Sequence, residues 1–132
     1  MLSVSEFTAE KTAALFRLKK KIEVIPNSVD VAYFCPRNTA VEPNTILYFG
    51  SIIRKKGVLE LAAIFNLIVA KKPGARLLFA GKDVQDHLTG SSTKQLILDK
   101  LSPAAKINTE WLGVLPYEKV LAQICGSPSQ LR

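Results

Sequence analysis

"ILYFGSIIRKKGVLEL", residues Ile46 to Leu61, decides the fold of this chain. Ile46 to Phe49 is a continuous apolar run that ends at Gly50, which is typical of a strand buried on both faces of a sheet. After Gly57 the apolar residues follow the spacing of a helix. A strand, a short loop and a helix in this order predict the start of an α/β domain, with the basic run "RKK" (residues 54–56) at the junction.

The same alternation continues along the chain and predicts a parallel sheet. The later predicted elements are a helix over Val58 to Ala70, a strand over Arg76 to Ala80, a helix over Thr93 to Leu101 that stops at Pro103, a strand over Ile107 to Leu112, and a helix over Pro116 to Ile124. This β-α-β-α-β-α order predicts a partial Rossmann-like sheet with right-handed crossovers. The strands end at Gly50, Gly81 and Gly113, which should lie along one ligand-binding rim.

The chain before this domain has a different character. Ser3 or Ser5 can cap a helix over Glu6 to Leu18, and the basic run Arg17 to Lys21 lies at its C-terminal end, where the helix dipole favours cations. Ile22 to Ile25 is a short run of β-prone residues.

A polar segment with two prolines and two asparagines, Pro36 to Asn44, reads as a linker. The predicted organisation is therefore a preceding portion with linker over residues 1–44 and a sheet domain over residues 45–132. Cys125 to Arg132 has no periodicity, and three strands are few for a doubly wound domain, so we expect a truncated domain.

The composition limits the classes of ligand that the protein could bind, but it does not select one of them. The chain has 132 residues, 48% of them hydrophobic and 22% charged, which is ordinary for a globular domain. Its net charge of +7 suggests a phosphate-bearing ligand, a nucleic acid or an anionic membrane surface. The basic clusters are short and no aromatic residues interleave with them, so specific nucleic-acid binding is not favoured.

Cysteine, histidine and hydropathy patterns point to a cytoplasmic protein without a metal site. Cys35 and Cys125 lie far apart with no CxxC pattern and read as free thiols, with one disulfide as the alternative. His87 is the single histidine, which excludes a multi-histidine metal site. We find no signal-peptide pattern and no apolar run long enough to span a bilayer.

The loop from Gly50 to Gly57 has the features of an anion site. It leads from a strand to a helix N-terminus, where free N–H groups and the helix dipole favour negative charge. The loop fits neither the P-loop pattern G-x-x-x-x-G-K-[ST] nor the dinucleotide pattern G-x-G-x-x-G. A solvated basic turn is the alternative that the loop pattern alone leaves open.

Several segments in order resemble glycosyltransferase group 1, also called family 4, whose members are retaining enzymes of the GT-B fold. The segments that carry the resemblance are "VSEFTAEKTAALF" (Val4 to Phe16), "VIPNSVDVAYFCP" (Val24 to Pro36), "ILYFGSIIRKKGVLEL", "ARLLFAGKD" (Ala75 to Asp83) and "WLGVLPYEKVLAQI" (Trp111 to Ile124). The resemblance implies the end of the family's N-terminal domain, the interdomain link and the first part of a truncated C-terminal, nucleotide-sugar-binding domain.

The resemblance also implies roles for residues of the basic loop. The family has an arginine just after the first glycine and a lysine just before the second, and these cations hold the donor diphosphate. Lys56 matches the lysine, whereas Ser51 stands where the arginine would be, and Arg54 is a candidate for the missing charge. The implied diphosphate site is Gly50, Ser51, Arg54, Lys56 and Gly57.

The end of the third strand is the implied nucleobase site, at Gly113, Val114 and Leu115. For Trp111 and Leu112, which come just before these residues, packing in the core is the favoured explanation. Core packing is also an alternative to base binding for Val114 and Leu115. Lys82 and Asp83 follow the second strand near the same rim, but they fit an ordinary surface loop equally well.

The family has a P-S-x-x-E segment and then a glutamate pair that bind the donor ribose and sugar, and no such pair follows Ile124 here. We therefore expect no catalytic residue, no metal and no useful turnover in the isolated chain.

The implied parent enzyme transfers a sugar from a UDP- or GDP-sugar to a glycan or lipid acceptor, without a cofactor, at the inner face of the membrane. A GT-B phosphorylase or synthase and a non-catalytic anion- or nucleic-acid-binding module remain alternatives. An exposed sheet edge also offers a surface for homodimerisation.

Overall fold

The computed structural model describes residues 1–34 and 43–124, which belong to two compact units, Met1–Pro36 and Arg37–Arg132. Cys35, Cys125, most of the predicted linker and the segment from Cys125 to Arg132 lie outside the described residues. The domain boundary expected between residues 44 and 45 therefore stays a prediction.

The first unit holds one helix beside a pair of very short parallel strands. Its elements are β1 (Leu2–Ser3), α1 (Glu6–Phe16) and β2 (Glu23–Val24). Ser5 is the N-cap of α1, because its side chain accepts a hydrogen bond from the N–H of Thr8. The helix ends at Arg17, which takes the left-handed conformation, so the lysines of the basic run follow the helix and do not belong to its last turn.

The second unit is a three-stranded parallel sheet with helices between the strands. Its elements are β3 (Thr45–Phe49), a 3₁₀ turn (Arg54–Lys56), α2 (Val58–Lys71), β4 (Arg76–Ala80), α3 (Thr93–Lys100), α4 (Pro103–Ile107), β5 (Thr109–Gly113) and α5 (Tyr117–Ile124). The strand order is β3-β4-β5, and both pairings are parallel. This confirms the predicted α/β class with a partial Rossmann-like sheet.

One helix was not predicted. Pro103 does not only stop α3 but also opens α4, since Ser102 caps the new helix by accepting from the N–H of Ala105. Ile107 belongs to α4, and β5 begins two residues later than expected.

The core lies on one face of the sheet, under α2, α3 and α4. Its largest fully buried side chains include Phe65 of α2, Phe79 of β4 and Ile97 of α3. The central strand β4 is buried on both faces from Leu77 to Ala80. Burial on both faces was wrong for β3, which lies at an edge of the described sheet and leaves Phe49 54% exposed.

Across residues 1–34 and 43–124, the structure contains no helix that is both long enough and apolar enough to cross a membrane.

Replacing Gly81 with alanine should destabilise the second unit by about 2–3 kcal/mol, because the new Cβ would overlap the carbonyl oxygen of Gly50 and Gly81 has a φ of +156°. Gly74→Ala is the matched control, since no atom lies within 4 Å of its added Cβ, and it should change stability by no more than about 0.5 kcal/mol. Urea denaturation of both variants measures the difference. Equal stabilities would show that β3 and β4 do not depend on this close approach.

Candidate functional site

The three strand-ending glycines lie side by side at the carboxyl ends of the strands. The N–H of Gly50 donates to the carbonyl of Ala80 at 2.9 Å, and the N–H of Gly81 donates to the carbonyl of Gly113 at 2.7 Å. The backbone hydrogen bonds of the sheet therefore continue past the last residues of β3 and β4. The strand pattern predicted this arrangement of the glycines along one rim.

The basic loop enters α2 through a tight turn. The 3₁₀ turn is closed by hydrogen bonds from Lys56 N–H to Ile53 O and from Gly57 N–H to Arg54 O. Gly57 has a φ of +73°, a conformation that glycine adopts without the steric cost of a Cβ. Gly57 is also the N-cap of α2, and because it has no side chain it makes no side-chain cap to the first-turn N–H groups.

Lys56 brings its charge back over the start of the loop. Its Nζ lies 3.1 Å from the position that a Cβ on Gly50 would occupy. Lys56 is exposed, and none of the acidic side chains in the described ranges forms an ion pair with it. An unneutralised ammonium therefore lies beside the strand end from which the chain turns into α2.

Arg54 has a protein partner. Its Nε donates to Oδ1 of Asp86 at 2.8 Å and its Nη2 donates to Oδ2 at 2.9 Å, a bidentate ion pair between two loops. The Asp86 side chain is 1% exposed and that of Arg54 is 35% exposed. Asp86 also accepts from the N–H and the hydroxyl of Thr89, at 3.1 and 2.9 Å.

This ion pair has a clear electrostatic consequence. The hydrogen bonds from Arg54 hold the pKa of the Asp86 carboxyl well below its usual range, although burial of the carboxyl acts in the opposite direction. The hydrogen bonds from Thr89 lower the pKa further. The same ion pair raises the pKa of Arg54. Arg54 and Asp86 therefore neutralise each other, whereas Lys55 and Lys56 form no ion pair within residues 1–34 and 43–124.

Ser51 is exposed, and its backbone contributes to the shape of the loop. Its carbonyl accepts a hydrogen bond of 2.8 Å from the hydroxyl of Tyr48, the pKa of which is raised by burial. Tyr48 in turn packs on Phe79, with ring centroids 5.4 Å apart. The start of the loop is thus tied to the core face of the sheet.

Asp83 and Trp111 have structural roles on the same side of the unit. Asp83 accepts from the hydroxyl of Ser92 at 2.6 Å and from the N–H of Lys94 at 2.9 Å, at the N-terminus of α3. Trp111 stacks on Phe79 with centroids 4.6 Å apart, which favours core packing for this residue. Residues 1–34 and 43–124 contain no cluster of three or more His, Cys, Asp or Glu that could hold a metal ion.

The predicted nucleobase residues follow a β-bulge at the end of β5. The register with β4 moves from Phe79–Trp111 to Ala80–Gly113, so Leu112 is the extra residue. Val114 is 71% exposed and Leu115 is half-buried. Gly113 therefore adjoins Gly81 at the rim, and the next two residues belong to the segment that connects β5 to α5.

The sequence analysis missed Asp86 and Thr89. The stretch "DHLTG" (residues 86–90) has the composition of a turn, and a turn is what the hydrogen bonds from Thr89 to Asp86 form. That local pattern could have predicted the loop. It could not have predicted a partner 32 residues earlier in the chain, because the ion pair depends on the pairing of β3 with β4.

Comparison with known proteins found a partial match to a glycosyltransferase. Over 79 residues, or 58% of the chain, the sequence is 30% identical to the GDP-mannose:cellobiosyl-diphosphopolyprenol alpha-mannosyltransferase of Xanthomonas oryzae pv. oryzae (strain PXO99A). The matched region spans 21% of the length of that enzyme. No protein-family model matches the chain. The chain is therefore similar to part of a glycosyltransferase.

Replacing Asp86 with asparagine should remove a pH-dependent part of the protein's stability. Below about pH 4, the ordinary pKa of an aspartate, the unfolded chain binds a proton that folded Asp86 does not bind. The stabilising contribution of Asp86 is therefore complete above pH 4 and falls as the pH decreases further. The stability difference between the wild type and Asp86→Asn should be largest near neutral pH and should shrink below pH 4.

Urea denaturation between pH 2.5 and 7 measures this difference. Asp99→Asn is the matched control, because Asp99 is an exposed carboxylate whose hydrogen bond comes from Gln95 on the same helix. A constant difference between wild type and Asp86→Asn over the whole range would contradict the account of the ion pair.

Proposed function

We propose that this chain is part of a retaining, group 1 (family 4) glycosyltransferase of the GT-B fold and holds part of the nucleotide-sugar site. The observation that carries the proposal is the position of the Lys56 ammonium, next to Gly50 and before the N-terminus of α2. The similarity to part of a GDP-mannose-dependent mannosyltransferase supports it independently.

The chemistry of the proposed site is charge stabilisation. The diphosphate of the donor would lie at Gly50, Ser51, Lys56 and Gly57, where first-turn N–H groups of α2 and the helix dipole favour an anion. When the bond from the sugar to the diphosphate breaks, negative charge grows on the diphosphate. A pre-positioned ammonium then stabilises the transition state more than the bound donor, which lowers the barrier.

The sequence suggested that Arg54 binds the diphosphate, whereas this proposal gives Arg54 a structural role. Its Nε and Nη2 are engaged by Asp86, so we assign it to hold the 3₁₀ turn in the geometry that places Lys56. The Arg54 side chain as a whole is 35% exposed. A direct contact of Arg54 with the diphosphate would thus add to the ion pair and would not replace it.

The base of the donor would meet Gly113, Val114 and Leu115, mainly through backbone groups. The support for this assignment is that Gly113 adjoins Gly81 by a backbone hydrogen bond, which places it along the rim from Gly50. A UDP- or GDP-sugar is the proposed donor, and GDP is the first nucleotide to test because the similar enzyme uses GDP-mannose. We propose a glycan or a lipid-linked glycan as the acceptor of the whole enzyme, acting at the inner face of the membrane.

Titration of the ¹⁵N-labelled chain with GDP should shift the amide signals of residues 50–57 and 113–115. Lys56→Ala should weaken GDP binding about tenfold, which is the value of one charge-assisted contact to phosphate. Lys71→Ala is the control, because it removes an equal charge at the other end of α2, roughly 20 Å away, and should leave the affinity unchanged.

Three outcomes would contradict the proposal. The first is the absence of shifts with GDP, UDP and ADP, and the second is an equal loss of affinity in both lysine variants. The third is a preference for polynucleotide over nucleoside diphosphate with a steep salt dependence, which would favour the nucleic-acid-binding module instead.

A further inference from the structure

The proposed diphosphate site has a shortage of positive charge. Arg54 is neutralised by Asp86, and Ser51 stands where an arginine is expected. Among the described residues of the loop, only Lys56 then has its charge beside Gly50. A nucleoside diphosphate carries two or more negative charges, and charge-assisted contacts are the strongest ones that a protein can offer to them. A second cation near the rim would strengthen the binding of such a ligand.

The register of β3 and β4 places another lysine beside the start of the basic loop. Phe49 pairs with Ala80, and after the strand ends Ile52 pairs with Asp83 at the same sequence offset. Two hydrogen bonds define this second pair, from Ile52 N–H to Lys82 O at 2.9 Å and from Val84 N–H to Ile52 O at 3.3 Å.

No residue is inserted between the two pairs, so Gly50 lies opposite Gly81 and Ser51 lies opposite Lys82. The contact between Gly81 and Gly50 agrees with this register, since a Cβ on Gly81 would overlap the carbonyl of Gly50. Lys82 therefore occupies the position in the sheet directly next to Ser51.

We propose that Lys82 supplies the second cation for the donor diphosphate, in place of the arginine that is absent at position 51. This inference rests on the proposed function of the loop. Lys82 is exposed and forms no ion pair within the described part of the chain, so its charge is free. By strand alternation, positions 51 and 82 point to the face of the sheet opposite that of Gly50 and Lys56, so the long, flexible side chain of Lys82 would approach the diphosphate from that other face, beyond the strand ends.

Lys55 is another loop lysine without an ion pair among the described residues, and it is less well placed than Lys82. It precedes Lys56 in the 3₁₀ turn, where successive side chains point about 120° apart. Because Lys56 turns back over Gly50, Lys55 projects elsewhere and remains exposed. It differs from Lys82 in position but not in charge, which makes Lys55→Ala the matched control.

The test measures dissociation constants for GDP and for inorganic pyrophosphate by NMR titration. Lys82→Ala should weaken both about fivefold to tenfold, because the lost contact is to the diphosphate that the two ligands share. Lys55→Ala should change them less than about twofold, and Lys82→Arg should stay near the wild type. Amide spectra of each free variant show that the fold is unchanged.

A rescue experiment tests the position of the charge. Adding Ser51→Arg to Lys82→Ala should bring both affinities back to within about twofold of the wild type, since the new charge starts from the neighbouring register position. Failure of this rescue, or equal effects of Lys55→Ala and Lys82→Ala, would overturn the assignment of Lys82.

The two lysine variants distinguish an error in the role of Lys82 from an error in the proposed diphosphate site. If Lys56→Ala weakens binding and Lys82→Ala does not, the donor site stands and the role of Lys82 is wrong. If Lys56→Ala has no effect, the proposed diphosphate site itself is wrong. Should Lys82→Ala alter the amide spectrum widely, Lys82→Gln gives the same comparison with a side chain of similar polarity.

Discussion

The site depends on the in-register pairing of β3 and β4 beyond their last residues. Gly50 and Gly81 approach so closely that a side chain on Gly81 would overlap the backbone of Gly50. Backbone hydrogen bonds continue the pairing as far as the Ile52–Asp83 bridge, after which the two segments enter different loops. The basic loop therefore starts from a rigid sheet edge, which is what a preorganised anion site requires.

The second constraint is the buried carboxylate of Asp86, which divides a uniform basic cluster into residues with different roles. Arg54 is bound to Asp86 through two hydrogen bonds, whereas Lys56 lies beside Gly50 and forms no ion pair with the acidic residues that the structure describes. Removing one partner of such a buried pair leaves the other charge uncompensated, so the two loops stabilise each other. The ion pair costs the site one of its positive charges, and that loss gives Lys82 its proposed importance.

Much of the fold could be predicted because it follows from local patterns. The strand runs that end in glycine and the helical spacing after Gly57 gave the correct order of elements. Features that depend on neighbours in space could not be predicted. Phe49 is exposed because β3 lies at an edge, and α4 begins at Pro103, where the sequence pattern indicates only the end of α3. The same limit applied to the site, since the sequence placed Arg54 in the right loop but could not show its partner, Asp86.

A crystal structure of the chain with bound GDP tests the central claim most directly. The account predicts the diphosphate over Gly50, with a phosphate oxygen about 2.8 Å from the Nζ of Lys56 and with Arg54 still paired to Asp86. A diphosphate bound at another surface would contradict the assignment of the strand-end rim. A diphosphate held by Arg54 after release from Asp86 would contradict the division of roles within the basic loop.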